Sequence, residues 1–215
     1  MATMNSAEYE ERIQFLLKYE KDPSTLIKDL TELTNLTTAD LDKCIAISNA
    51  NLGDQSWQRL VVRTAFSIID SVCYKLKELI YCTANVCHID LSVHEKELLL
   101  EFKKDKQGNF RRCYPGFADN VKFTLNTASK FFGLNPIVLN DNNWMAFLES
   151  IEIRDRITHP KHPRDLAISP QEYDKVADAF YWFIKRIFEA TVASSGVAKV
   201  KWKKIEAGGR VAPSA

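Results

Sequence analysis

Arg154 and His159 stand five positions apart in the stretch Arg154-Asp155-Arg156-Ile157-Thr158-His159. Together they offer the groups that metal-independent RNA cleavage requires. In that reaction the 2′-hydroxyl of the substrate attacks its own neighbouring phosphorus. One group removes the hydroxyl proton and another protonates the leaving oxygen. A histidine side chain, with an ordinary pKa of about 6.5, does either near neutral pH. An arginine fork holds the phosphate and offsets the charge that builds on the pentacovalent transition state. Asp155 adds a carboxylate beside the arginine. Arg156, Thr158, Lys161, His162 and Arg164 offer further contacts to RNA, the cations to its phosphates. One histidine supplies one proton transfer, so two copies facing each other in a symmetric dimer would supply both. The expected product is a 2′,3′-cyclic phosphate.

These residues need a helix that stops in the right place. Trp144, Phe147, Leu148 and Ile151 define an apolar face, and its continuation falls on Arg154, Asp155 and Thr158. Core residues are thus expected to give way to charge at the end of this helix. Buried charge is costly unless paired or used, and an Arg154–Asp155 network cementing the helix end is the alternative. On an unbroken helix Arg154 and His159 diverge by about 140°. Pro160 disfavours helical geometry at His159, so the chain is expected to leave the helix there and turn the imidazole back. Arg156 and His162 form a second, lesser register of the same pair, with His162 beyond the proline.

The stretch resembles the R-x4–6-H signature of the HEPN superfamily, in which a polar residue commonly follows the arginine, as Asp155 does here. The likeness extends over about Asp54 to Ser194. It implies an all-α HEPN-like helical bundle that dimerises, with Arg154 and His159 as the catalytic pair and Asp155 in support. It also implies an RNA substrate, a role as a toxin or antiphage defence effector, and an antitoxin or larger defence complex as potential partners. No cofactor and no metal are implied. The alternative is a noncatalytic HEPN-like module that binds a nucleotide or a partner protein. Relatives paired with nucleotidyltransferase antitoxins often carry a tyrosine two residues after the histidine; Lys161 stands there, which argues against regulation through that tyrosine.

The bulk of the chain is bland. Its 215 residues include 29 basic and 28 acidic side chains, a net charge of +1, so RNA binding would need a local basic cluster. Lys103, Lys104, Lys106, Arg111 and Arg112 are one such cluster. Five irregularly spaced cysteines without a C-x-x-C pair suggest free thiols in a reducing compartment. No signal peptide or membrane-spanning run is visible, so a cytoplasmic protein is expected. His159 and His162 lack a third ligand at a familiar metal spacing. P-loop, dinucleotide-binding, zincin and nucleophile-elbow motifs do not occur.

Helical periodicity dominates, and no alternating strand stands out. Residues 1–53 read as an N-terminal helical extension with helices near 6–21, from Pro23 to Leu33, and from Thr38 to Asn49. The HEPN-like domain, 54–195, opens at Asp54 with the longest helix, whose Val62, Phe66, Tyr74 and Tyr81 suggest a second buried face. That face fits either a central helix or a dimer-forming one. Ser92 caps a helix through Phe102; a basic loop follows to Asp119; another helix ends at Phe132. Asn142 or Asn143 caps the motif helix. Ser169-Pro170-Gln171-Glu172 starts the last one, with Val176, Phe180, Phe183, Ile184, Ile187 and Phe188 as its core stripe. Residues 196–215 read as a basic, aperiodic tail.

Overall fold

The computed structural model describes residues 6–17, 23–51 and 53–206 of the chain. Among them the fold is all-α: α1 Ser6–Leu17, α2 Pro23–Ala50, α3 Gln55–Val86, α4 Val93–Leu100, α5 Phe117–Phe132, α6 Asn142–Thr158 and α7 Pro170–Glu206. A short hairpin, β1 Phe102–Lys104 and β2 Phe110–Arg112, lies between α4 and α5, and a 3-10 turn spans Pro163–Leu166.

α3 is the axis of the bundle. The Asp54 carboxylate accepts the Ser56 backbone N–H and caps its start, as the sequence suggests. Val62, Ile69, Val72, Leu76, Leu79 and Ile80 are fully buried, and α2, α4, α5, α6 and α7 all pack around it. Val62 and Phe66 do bury a second face, and surrounding helices cover it, which makes α3 a central helix. α7, at 37 residues, exceeds the 32 of α3 and is the longest described helix.

Several boundaries differ from expectation. α2 is one helix, where two were expected, from Pro23 to Leu33 and from Thr38 to Asn49. Thr31, Thr34 and Thr37 donate their hydroxyls to the carbonyls of Ile27, Leu30 and Leu33, each at 2.7 Å, so these hydroxyls are satisfied inside the helix, while the buried Thr38 Oγ1 has no partner among the described residues. Packing of Leu26, Leu30 and Leu41 into the common core then outweighs weak helix propensity. α5 begins after Gly116 rather than at Asp119, and the cap of α6 is Asp141, whose carboxylate accepts the Asn143 N–H. α7 continues past Gly196 to Glu206, where an aperiodic tail was expected; residues 207–215 lie outside the described residues. Phe188, expected in its core stripe, is 68% exposed, and Ala179 and Ala190 are buried on that helix instead.

The hairpin also departs from the expected loop. Lys103 faces Arg111 across it, a like-charge pair that does not favour pairing. Tyr9 of α1 compensates by stacking on Phe110 at 3.6 Å and meeting Phe102 edge-on at 5.8 Å. Asp105 accepts the backbone N–H groups of Gln107 and Asn109 and pairs with Arg111, closing a turn that uses Gly108 at φ +85°. The basic cluster is therefore partly engaged within the hairpin.

All five cysteines are free, and burial pushes the Cys73 thiol up to about 12. No helix among the described residues is long and apolar enough to cross a membrane.

The cap of α4 gives a pH-dependent prediction. Lys130 donates to Glu95 at 2.8 Å and the Ser92 N–H donates to it at 2.8 Å, and together they hold its carboxyl down to about 2. A depressed carboxyl stabilises the fold above its unfolded value and loses that contribution as pH falls through the folded one. Glu95→Gln should therefore lower the thermal midpoint at neutral pH, and its deficit against wild type should shrink on acidification from about 4.5 toward about 2. Melting curves at the two ends of that window check it; a deficit that does not depend on pH would contradict the assignment.

Candidate functional site

α6 is held from below by aromatic rings. Trp144 and Phe147 stack at 5.5 Å, and Trp182 of α7 meets both, at 6.1 and 5.5 Å. Its buried stripe runs Trp144, Phe147, Ser150, Ile153, Ile157. The sequence suggested instead that the core face passes through Leu148 and Ile151 and becomes charged at Arg154. Apart from Ser150 the stripe stays apolar to the last turn, and Arg154 lies at its edge with 29% of its side chain exposed, while Asp155 is 54% exposed. Thr158 faces solvent.

The helix ends at His159, as Pro160 predicts. Its φ of −124° is extended, and its N–H donates to the Asp155 carbonyl at 2.9 Å. The last carbonyls of a helix carry partial negative charge, which would repel a phosphate. Arg63 of α3 answers this by donating to the Ile157 carbonyl at 2.7 Å. The Arg154 guanidinium stacks over Phe117 at 4.8 Å and Phe66 at 5.8 Å, and one Nη donates to Asp155 at 2.5 Å. Its remaining donors have no hydrogen-bond partner among the described residues, so a fork is left for an anion. Asp155 and two rings thus orient the arginine without saturating it.

Arg156 is placed quite differently. It donates to the carbonyls of Asp165 at 2.9 Å and Ala167 at 2.6 Å, and pairs with Glu172 at 2.6 Å. These contacts clamp the end of α6 to the 3-10 turn and to the start of α7. Burial raises the Glu172 carboxyl, but the N–H and hydroxyl of Ser169 and the charge of Arg156 outweigh it, leaving a net lowering. The same arrangement weakens the Arg156–His162 register, because that arginine is already committed.

The turn after His159 is also pinned. Asp165 accepts the backbone N–H groups of His162 at 2.9 Å and Lys161 at 2.8 Å, in that order of effect, and they lower its carboxyl. Gln55 exchanges two hydrogen bonds with the backbone of Ile168, and Arg59 donates to the Leu166 carbonyl. An open cleft of about 590 Å³ results, lined by Arg154, Asp155, Arg156, His159, Lys161 and Asp165. The predicted catalytic trio and two of the predicted RNA contacts line it together. Thr158, His162 and Arg164 are exposed nearby but do not line it.

Sequence reasoning missed Arg63, Phe117 and Asp165, and read Glu172 as a helix cap without its pairing to Arg156. Arg63 lies 94 positions from its partner, and no local pattern marks that pairing. Asp165 was legible in principle as a carboxylate following Pro163, three residues after the N–H it accepts. Among the described residues no three His, Cys, Asp or Glu side chains gather as metal ligands would.

Comparison with protein-family models, with curated proteins and with solved structures gave no match, so the site rests on its own geometry.

Proposed function

We propose that this chain is a metal-independent endoribonuclease of the HEPN type, acting in the cytoplasm as a homodimer with a composite Arg/His site. The observation that carries this reading is the shared cleft. Arg154, stacked and with unused donors, and His159, exposed and with no side-chain partner among the described residues, line one cleft at a helix end where Arg63 binds a carbonyl. Arg154 holds the scissile phosphate, with Lys161 beside it. His159 moves the proton at the 2′-hydroxyl or at the leaving 5′-oxygen, and its copy in the second chain performs the other transfer. A toxin or defence role follows from uncontrolled RNA cleavage being harmful to its host cell.

A second reading, a noncatalytic module for a nucleotide or partner protein, draws on the Arg154–Asp155 pair, which also suits a purely structural helix end.

RNA incubated with the protein in EDTA should yield fragments ending in 2′,3′-cyclic phosphate. Persistent intact RNA under conditions where the protein dimerises would favour the second reading. Mixing tests the shared site. With equal amounts of wild-type and His159→Ala chains allowed to exchange, activity should fall to about a quarter, because random pairing leaves only that share of fully wild-type dimers. A fall to one half would mean that each chain works alone.

A further inference from the structure

A second cleft, of about 410 Å³, opens between α3, the β2–α5 connection and α5, and its Phe117 also lies under the Arg154 guanidinium. Its walls include Tyr74, Tyr114 and Phe117, and Asp70, Glu101 and Asn120 add polar groups. Two of these are acceptors without donors. The Asp70 carboxylate has no ion pair or hydrogen bond among the described residues, unlike Glu101, which Lys77 holds at 3.0 Å. Asn120 is only 9% exposed, and its Oδ1 is buried with no partner. A buried acceptor without a donor is unfavourable, so leaving the Asn120 Oδ1 unpaired is done at some expense to the fold, while Asp70 is exposed. Its volume lies within the range of small-ligand sites, roughly 300–1,000 Å³.

The required ligand is planar, to lie against aromatic walls, and carries more than one donor on an edge. It must also tolerate neighbouring cations. Arg154 and Lys77 are close enough for their charges to act on Asp70, and Lys75 lines the cleft itself, so cations already stand about this carboxylate. Burial and then the negative charge of Glu101 raise the Asp70 carboxyl.

Resting on the RNase reading, we propose that this cleft is a base-recognition subsite for a guanine of the RNA, flanking the phosphate held by Arg154. The N1–H and N2 amine of guanine donate to Asp70, and Tyr74, Tyr114 and Phe117 flank its face. Adenine lacks that donor pair. Phe117 lines this cleft and also lies under the Arg154 guanidinium, so a base here and a phosphate on Arg154 would be neighbours across one ring.

The test separates this subsite from catalysis. Guanosine and adenosine monophosphates are titrated into the full-length His159→Ala protein, with amide shifts followed by NMR. GMP should bind at least about tenfold more tightly than AMP. Asp70→Asn and Tyr114→Ala, both at accessible positions, should each remove that preference while leaving the melting temperature near that of the parent. In active protein, cleavage should favour phosphates flanked by guanine over those flanked by inosine, which lacks the N2 amine. Equal affinities for GMP and AMP, or a preference that survives Asp70→Asn, would overturn the subsite even if cleavage is found. Tighter binding of arginine amide than of GMP would likewise overturn it, assigning the cleft to a basic peptide. Loss of cleavage with the GMP preference intact would instead remove the RNase reading alone.

Discussion

Replacing His159 with alanine should lower the rate of RNA cleavage by about 10²–10⁴-fold, the usual worth of a positioned general acid or base. The change should fall on kcat more than on KM, because the imidazole acts in the transition state. The fold should be unaffected: the side chain is exposed, and only its backbone N–H takes part in the helix end. Arg154→Ala should cost about 10²–10³-fold, as removal of an oxyanion donor does elsewhere. Arg154→Lys should recover little of this. An ammonium keeps the charge but cannot stack flat on Phe117 and Phe66 while offering two parallel donors to a phosphate. The measurement is single-turnover cleavage of a fluorescent RNA by each variant, with circular dichroism confirming the helix content. Wild-type cleavage by a folded His159→Ala protein would sink the assigned role.

The largest expected loss of stability lies in another part of the bundle. Lys77 is wholly buried on α3, and Glu101 is its only hydrogen-bonded anion among the described residues. Removing one partner of a buried pair leaves an uncompensated charge and costs about 3–5 kcal/mol. Glu101→Gln should show that loss as a lower denaturant midpoint with an unchanged slope. Against a typical total of roughly 5–15 kcal/mol, this is a large fraction. Glu101 also sits at φ 61°, where a side chain is strained and glycine is not. Glu101→Gly relieves that strain yet still orphans Lys77, so it should remain clearly destabilised. Lys77→Met, which removes the buried charge itself, should be much milder. If Glu101→Gln lies within about 1 kcal/mol of wild type, the ion pair does not have the importance given to it.

The parts of the fold legible in the sequence are those written in local chemistry. Ser92 with Glu95, Ser169 with Glu172, and Gly133 mark real helix ends, and His159-Pro160 marks the end of α6. The all-α class follows from periodicity alone. What was hidden depends on partners far along the chain. Threonines that look like a break in α2 are accommodated because α3 gives that helix a core to bury into. The hairpin has strands of three residues each, too short for an alternating pattern to register, and a tyrosine of α1 holds it down. The candidate site divides in the same way. The arginine and histidine are visible as a spacing, whereas the rings beneath Arg154 and the guanidinium of Arg63 at the helix end come from helices brought in by folding.

Arg156 gives this arrangement a consequence for the imidazole. By joining α6 to Glu172 and to two carbonyls of the intervening turn, it acts as a reversible cross-link around the segment that carries His159. A short closed loop has few conformations to lose. On the proposed reading, a histidine held in such a loop stays near the phosphate that Arg154 binds, where an open loop would spread it over many backbone geometries. Arg156, which itself lines the cleft, would then limit how far the imidazole strays from that phosphate.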